Sequence, residues 1–116
     1  MNRQANSTTA KGSRAEKMAV EYLEAQNFQI LEQNFYAKKM GEIDIIAQKD
    51  TLLHFIEVKS ATANFDPIYN LTPRKLKKII NASYYYMKLK NIDRAFCIDA
   101  IIIRGDEIEF IENITM

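Results

Sequence analysis

The sequence predicts an α/β fold, a mixed β-sheet flanked by helices in the order helix, three strands, helix, two strands (αβββαββ). Three observations lead there. Apolar residues recur at three- and four-residue steps after Gly12 and again after Thr72-Pro73. Residues 42–48 and 52–59 are rich in β-branched and apolar side chains. Ile101-Ile102-Ile103 extends an apolar run of the kind found in strands covered on both faces.

The elements follow in order. Residues 1–10 are polar and read as a flexible leader, and residues 11–116 as a single domain. Ala15, Ala19, Val20 and Leu23 place a helix over residues 12–26, ending at Asn27. Residues 28–35 alternate loosely as a first strand, and the polar turn Ala37-Lys38-Lys39 with Gly41 leads into a second, residues 42–48. Lys49-Asp50-Thr51 joins it to a third, residues 52–59, as a hairpin. Residues 60–70 are irregular and hold the loop Phe65-Asp66-Pro67. Thr72 is an N-cap for the second helix, with Pro73 at the first helical position, where its missing N–H costs little. That helix is expected to reach about Lys90. Residues 95–103 and 108–111 form the last two strands around the turn Arg104-Gly105-Asp106.

Composition narrows the function. The chain has 116 residues, enough for one core and too few for two. No apolar run approaches the ~20 residues that cross a bilayer, and the N-terminus has no apolar signal segment, so the expected compartment is the cytoplasm, without membrane contact. A net charge of +1 attracts a polyanion only weakly. Any nucleic-acid contact must therefore come from a local patch.

The hairpin carries the chemistry. Strand alternation puts Glu42, Asp44 and Ile46 on one face, and Leu53, Phe55, Glu57 and Lys59 on one face of the next strand, with His54, Ile56 and Val58 opposite. If Asp44 pairs across from Glu57, the loop closes at Asp50-Thr51, the commonest hairpin length. A solvated face would be polar throughout, yet Ile46, Leu53 and Phe55 share this one. The acids therefore gather at one end of a sheet that needs cover on both sides. Carboxylates ~4 Å apart repel by ~1 to 4 kcal/mol depending on the local dielectric, so something positive must offset them. Lys59 is one candidate and a hard divalent cation, Mg²⁺ or Mn²⁺, is another; on the residues alone, a metal site and a salt-bridged hairpin stand level.

No convergent Cys or His set that would suggest zinc is expected. His54, the single histidine, points away from the acids on this parity and reads as packing or surface. Cys97 lies in Ala95-Phe96-Cys97-Ile98 and reads as a small hydrophobe. Asp99, in an otherwise apolar strand, reads as a structural hydrogen-bonding group with an arginine as its expected partner.

Asp44 followed by Glu57-Val58-Lys59 resembles the D…E-x-K half of the PD-(D/E)XK nuclease signature. The fuller string, Gly41-Glu42-Ile43-Asp44-Ile45-Ile46-Ala47 with Phe55-Ile56-Glu57-Val58-Lys59, is similar to the YraN family of bacterial Holliday-junction-resolvase-like proteins, and the likeness covers nearly the whole chain. Gly12, Glu16, Ala19 and Leu23 match the Gly, Glu, Ala and Leu of that family's first helix. The resemblance implies a restriction-endonuclease-like fold with Glu16 at the same end of the sheet as Asp44 and Glu57. From the residues alone, Ser13-Arg14-Ala15-Glu16 fits a capping box. The resemblance instead favours a helix starting near Thr8, with Gly12 and Glu16 one turn apart and facing the site.

It further implies a Mg²⁺- or Mn²⁺-dependent endonuclease that hydrolyses phosphodiester bonds in branched or otherwise non-B-form DNA, with a homodimer by analogy. Asp44, Glu57 and a main-chain carbonyl such as that of Val58 would hold the metal, and Lys59 would orient or deprotonate the attacking water. Glu16 would help hold that metal or complete a second site. Glu42 shares the face but stands outside this set. The chief rival is a nucleic-acid or protein binding module of the same fold with little cleavage activity; Tyr36 and Ala61, which stand where the family often has arginine, point that way. A structural domain whose acids form salt bridges is the third reading.

Arg74, Lys75, Lys77 and Lys78 crowd the first turns of the second helix, where cations oppose the helix dipole. A phosphate offers a reason for them, since the lysines, the arginine and the helix N-terminus would share one anion. A plain soluble helix surface explains them equally well. Leu76, Ile79, Ile80, Ala82 and Met87 make the buried stripe, leaving Arg74, Lys78, Tyr85 and Lys88 outward, with Tyr85 a candidate for base stacking.

Overall fold

A computed structural model describes residues 7–61 and 71–115, with side chains from Arg14 onward. Residues 1–6 of the expected leader and the Phe65-Asp66-Pro67 loop lie outside the described residues. The element order is α1 (Ser7–Ala25), β1 (Gln29–Tyr36), a 3-10 turn (Lys38–Met40), β2 (Glu42–Lys49), β3 (Leu52–Ser60), α2 (Pro73–Leu89), β4 (Phe96–Arg104) and β5 (Glu107–Ile111). The α/β reading and the αβββαββ order hold. The architecture is consistent with a restriction-endonuclease-like fold.

The five strands form one sheet in sequence order. Neighbours are antiparallel except β3 and β4, which run parallel. That single parallel pair needs a long crossover, and α2 lies within it. β3 and β4 are thereby central and covered on both sides. Leu53 to Glu57 and Cys97 to Ile103 are accordingly buried without a break.

Two cores sit on opposite faces of the sheet. On one, Phe55 meets Tyr86 edge-on at 5.9 Å between ring centres and Phe96 at 5.6 Å, with Phe35, Ile46, Leu53, Ile79 and Ile98 around them. On the other, Ala15, Ala19 and Leu23 of α1 pack on Ile45, Ile56 and Ile101. The two alanines let α1 lie close to the strands. Among the described residues, no helix is long and apolar enough to cross a membrane.

α1 begins at Ser7, within one residue of the start near Thr8 that the resemblance favours and five positions ahead of the Gly12 start read from periodicity, and it includes residues 7–10 assigned to the leader. Ser13 therefore lies inside the helix and cannot be an N-cap, which removes the capping-box reading of Glu16. The second helix matches its signals. Thr72 accepts a hydrogen bond from the Lys75 N–H through its side chain, and Pro73 opens the helix.

The hairpin register is the one that unites the acids. Ile45 pairs with Ile56 and Lys49 with Leu52, so the loop closes at Asp50-Thr51. Asp50 takes a positive φ of 55°, a conformation Asp tolerates better than most side chains. One step beyond Ile45 and Ile56, the same register sets Asp44 opposite Glu57.

Candidate active site

Asp44 is half-buried where the β2–β3 ladder ends, and its Oδ2 accepts a hydrogen bond from the Val58 backbone N–H at 2.8 Å. The side chain thus bridges to β3 just past the last ladder pair, and is held there. Glu57 is 8 % exposed, and its Oε2 is buried with no hydrogen-bond partner among the described residues. A buried carboxylate oxygen without a donor is costly and uncommon in a structure at rest.

The electrostatics follow from burial and crowding. Burial is the main force pushing the Glu57 carboxyl up to about 8, and the Asp44 charge adds to it, while Lys59 opposes it. Asp44 is pushed up to about 6, again chiefly by burial. The Val58 N–H and Lys59 pull it down, while Glu16 and Glu42 push it up. Both acids therefore sit in an environment short of positive charge.

A cavity of about 150 Å³ opens beside Glu57. Its described lining includes Glu42, Glu57 and Lys59 from the hairpin, Met40 and Gly41 from the turn before it, and Lys75, Lys78 and Ile79 from α2. Two of the four cations singled out on α2 thus reach the cavity beside Glu57, whose described lining does not include Asp44. All four cations are exposed, and Arg74 and Lys77 line no described part of it. The split follows helix geometry, because positions 75, 78 and 79 share a face that 74 and 77 do not.

Glu16 occupies an intermediate position. Its Oε1 accepts from the Asn34 side-chain amide at 3.0 Å, tying α1 to β1, and Asn34 itself holds a positive φ of 53°. It lines a separate hollow with Lys17, Val20, Glu21, Glu24, Gln33 and Asn34. Its charge nonetheless reaches Asp44. Glu42 is exposed at the cavity wall, and its charge acts on both acids.

The aromatic cluster on α2 departs from expectation. Tyr85 is half-buried, tilted against Phe35 at 6.1 Å with Lys38 over its ring at 5.9 Å, because α2 leans on the 3-10 turn. Tyr84 is the exposed ring at 57 %. Tyr85 is therefore not the outward ring expected of it.

The expected absence of a convergent Cys and His set is also corrected. His54, Cys97 and Asp99 are all buried, with donor atoms within 4.8 Å of one another. Asp99 is paired with His54, not with an arginine, at 2.5 Å from Nδ1, and its Oδ1 accepts from the Asn113 N–H at 2.8 Å. The parallel register sets His54 directly beside Cys97, and no local pattern in the sequence announces that pairing. His54 does point away from the acids, as alternation requires.

Residues 15–103 match the family described as "Uncharacterised protein family UPF0102". The chain belongs to this family. UPF0102 is the YraN family that the hairpin motif resembles. A UPF0102 protein of Sulfurovum sp. (strain NBC37-1) is 60 % identical over 105 residues, covering 90 % of this chain and 93 % of its own. One from Wolinella succinogenes is 56 % identical over 107 residues, covering 92 % and 97 %. One from Helicobacter pylori (strain HPAG1) is 51 % identical over 110 residues, covering 95 % of each. The UPF0102 match takes in Glu16, the whole hairpin, the α2 cations and nearly all of β4, and stops before β5.

As a donor set, Asp44 and Glu57 offer carboxylate oxygens, which suit Mg²⁺ or Mn²⁺ over softer ions. The unpartnered Glu57 Oε2 is the feature such an ion fits, because a cation would satisfy it and relieve the repulsion from Asp44.

Proposed function

We propose that this UPF0102 protein is a divalent-metal-dependent endonuclease acting on phosphodiester bonds in DNA, with branched or otherwise non-B-form DNA as the preferred substrate. The single observation that carries the reading is the buried, unpartnered Glu57 Oε2 beside Asp44, in a cavity that also receives Lys59, Lys75 and Lys78. A buried pair of carboxylates next to a cavity lined by lysines matches a reaction in which a cation and an anionic substrate come together.

Asp44 and Glu57, with the Val58 carbonyl, would hold Mg²⁺ or Mn²⁺, and the bound ion would supply charge neutralisation at the phosphate and a lowered pKa for water. The Val58 N–H keeps Asp44 fixed in place, so the acid does not have to be ordered when substrate arrives. Lys59 supplies positive charge beside both acids and would orient the attacking water. Lys75 and Lys78 at the cavity wall would bind phosphate oxygens and set the strand against the acids. Glu16, held by Asn34, adjusts the charge at Asp44 and would complete a second cation position.

The test is direct. Wild type and the Asp44→Asn/Glu57→Gln double variant are titrated with Mg²⁺ and Mn²⁺ by calorimetry, then incubated with junction, flap and linear DNA. Metal binding and cutting by wild type alone support the reading. Metal binding without cutting of any substrate moves the protein to a binding module, and no metal heat in either protein leaves a structural role for the acids.

A further inference from the structure

On the face of the sheet opposite the acids, three side chains of different chemistry converge without any part in the proposed cleavage. His54 projects from β3, and Cys97 and Asp99 project two positions apart from β4, all toward α1 and the C-terminal segment. Their exposures are 3 %, 9 % and 0 %. Cys97 Sγ is 3.2 Å from His54 Nδ1 and 3.3 Å from Asp99 Oδ1.

We propose that His54 Nδ1, Cys97 Sγ and an Asp99 carboxylate oxygen form a zinc-binding site that ties β3 to β4. Zinc bonds of ~2.0 to 2.3 Å at tetrahedral angles hold neighbouring donor atoms ~3.3 to 3.7 Å apart, so two of the three separations are already at that scale. The third, between His54 Nδ1 and the other carboxylate oxygen, Asp99 Oδ2, is the 2.5 Å hydrogen bond, and rotation of the carboxylate opens it. The donor set is the borderline-soft combination of sulfur, imidazole and carboxylate that selects zinc over Mg²⁺ or Mn²⁺.

Charge supports the same ion. Binding releases the Cys97 proton to solvent, takes the imidazole neutral at Nδ1 and leaves Asp99 ionised, so two negative ligands cancel the 2+ charge inside a closed core. The environment of the cluster is ordered as a ligand shell requires. Asn113 donates its N–H to Asp99, and Phe28 packs edge-on against the His54 ring at 4.9 Å between ring centres.

A nucleophilic triad is the alternative for these residue types, and the geometry speaks against it. In a triad the nucleophile and the acid address different ring nitrogens, whereas here Cys97 and Asp99 both meet Nδ1. Convergence on one point is the arrangement of ligands.

Metal-free wild type and the Asp44→Asn/Glu57→Gln variant are titrated with Zn²⁺ by calorimetry and with Co²⁺ by absorption. The expected result is one Zn²⁺ per chain in both proteins, with a thiolate-to-cobalt charge-transfer band that disappears in Cys97→Ser and weakens in His54→Gln. Cys97 is the only cysteine, so the band assigns itself. If Cys97→Ser does not fold by circular dichroism, the band in the double variant decides alone. Absence of the band in that variant, or unchanged Zn²⁺ binding in a folded Cys97→Ser, overturns the proposal. Because the acids are removed in one arm, failure here is distinct from failure of the nuclease reading.

Discussion

The Val58 N–H donates to Asp44 Oδ2 at 2.8 Å, so a main-chain group of β3 holds the acid of β2 at the point where the regular ladder between them ends. The flanking residues of Val58 are Glu57 and Lys59. One hydrogen bond therefore fixes the spacing of all three chemically important side chains.

Metal-free protein should lose stability as pH rises. Both Asp44 and Glu57 are raised above their ordinary values, to about 6 and about 8, so the folded state holds protons that the unfolded state has released. The penalty is absent below about pH 4 and complete above about pH 8. A tenfold difference in proton affinity between the folded and unfolded chain corresponds to about 1.4 kcal/mol, and since the two acids share their repulsion the combined loss is on the order of a few kcal/mol. Melting curves in chelator from pH 4 to 9 should show this decline, and Asp44→Asn/Glu57→Gln should flatten it. A flat wild-type profile would show that the acids are not perturbed.

Mg²⁺ should reverse the effect most strongly at alkaline pH. The ion competes with the protons on the two acids, so apparent affinity should fall roughly tenfold per pH unit between pH 8 and 6. At a hundred times the dissociation constant, stabilisation is about 2.7 kcal/mol. Thermal shift with Mg²⁺ at pH 8 and pH 5.5 measures it; equal shifts at both would place the ion elsewhere.

Lys59→Met should damage cleavage and perturb the acids together. The Lys59 charge lowers both Asp44 and Glu57, so its removal should extend the pH-dependent loss of stability above pH 8. Cleavage should fall by about 10² to 10⁴, the range typical of losing a proton-transfer group. Unchanged cleavage in a folded Lys59→Met would remove this lysine from the reaction.

The α2 lysines should separate by position. Lys75→Ala/Lys78→Ala should weaken DNA binding and reduce the salt dependence by about two phosphate contacts, with a slope change near ~1.8 on logarithmic axes. Arg74→Ala/Lys77→Ala should change less, because those residues are exposed away from the cavity. Fluorescence anisotropy across a salt series distinguishes the pairs, and equal slopes would mean that the cavity does not align the DNA.

The hairpin was legible because its information is local. Period-two alternation sorts Glu57 and Lys59 from His54 and Ile56, and a two-residue loop leaves one register that joins Asp44 to Glu57. The second helix was legible from Thr72 and Pro73. The start of α1 was legible only through the family resemblance, since Ser7-Thr8-Thr9 has weak helix propensity and no acid lies in the first turn. The His54–Cys97 pairing was out of reach for a different reason. It depends on the parallel register across a crossover containing α2, which no local periodicity records. Asp99 showed that it needed a partner; only the assembled sheet shows which one.

The order of the chain separates the two groups of side chains that meet at or beside the cavity. Asp44, Glu57 and Lys59 arrive together on one hairpin, whereas Lys75 and Lys78 arrive on a helix that follows a long connection. Insertions, deletions or changes of angle in that connection can carry α2 across the cavity while leaving the acids bonded through Val58. On the nuclease reading, proteins of this fold could thus vary what they grip without rebuilding the residues that would carry the reaction.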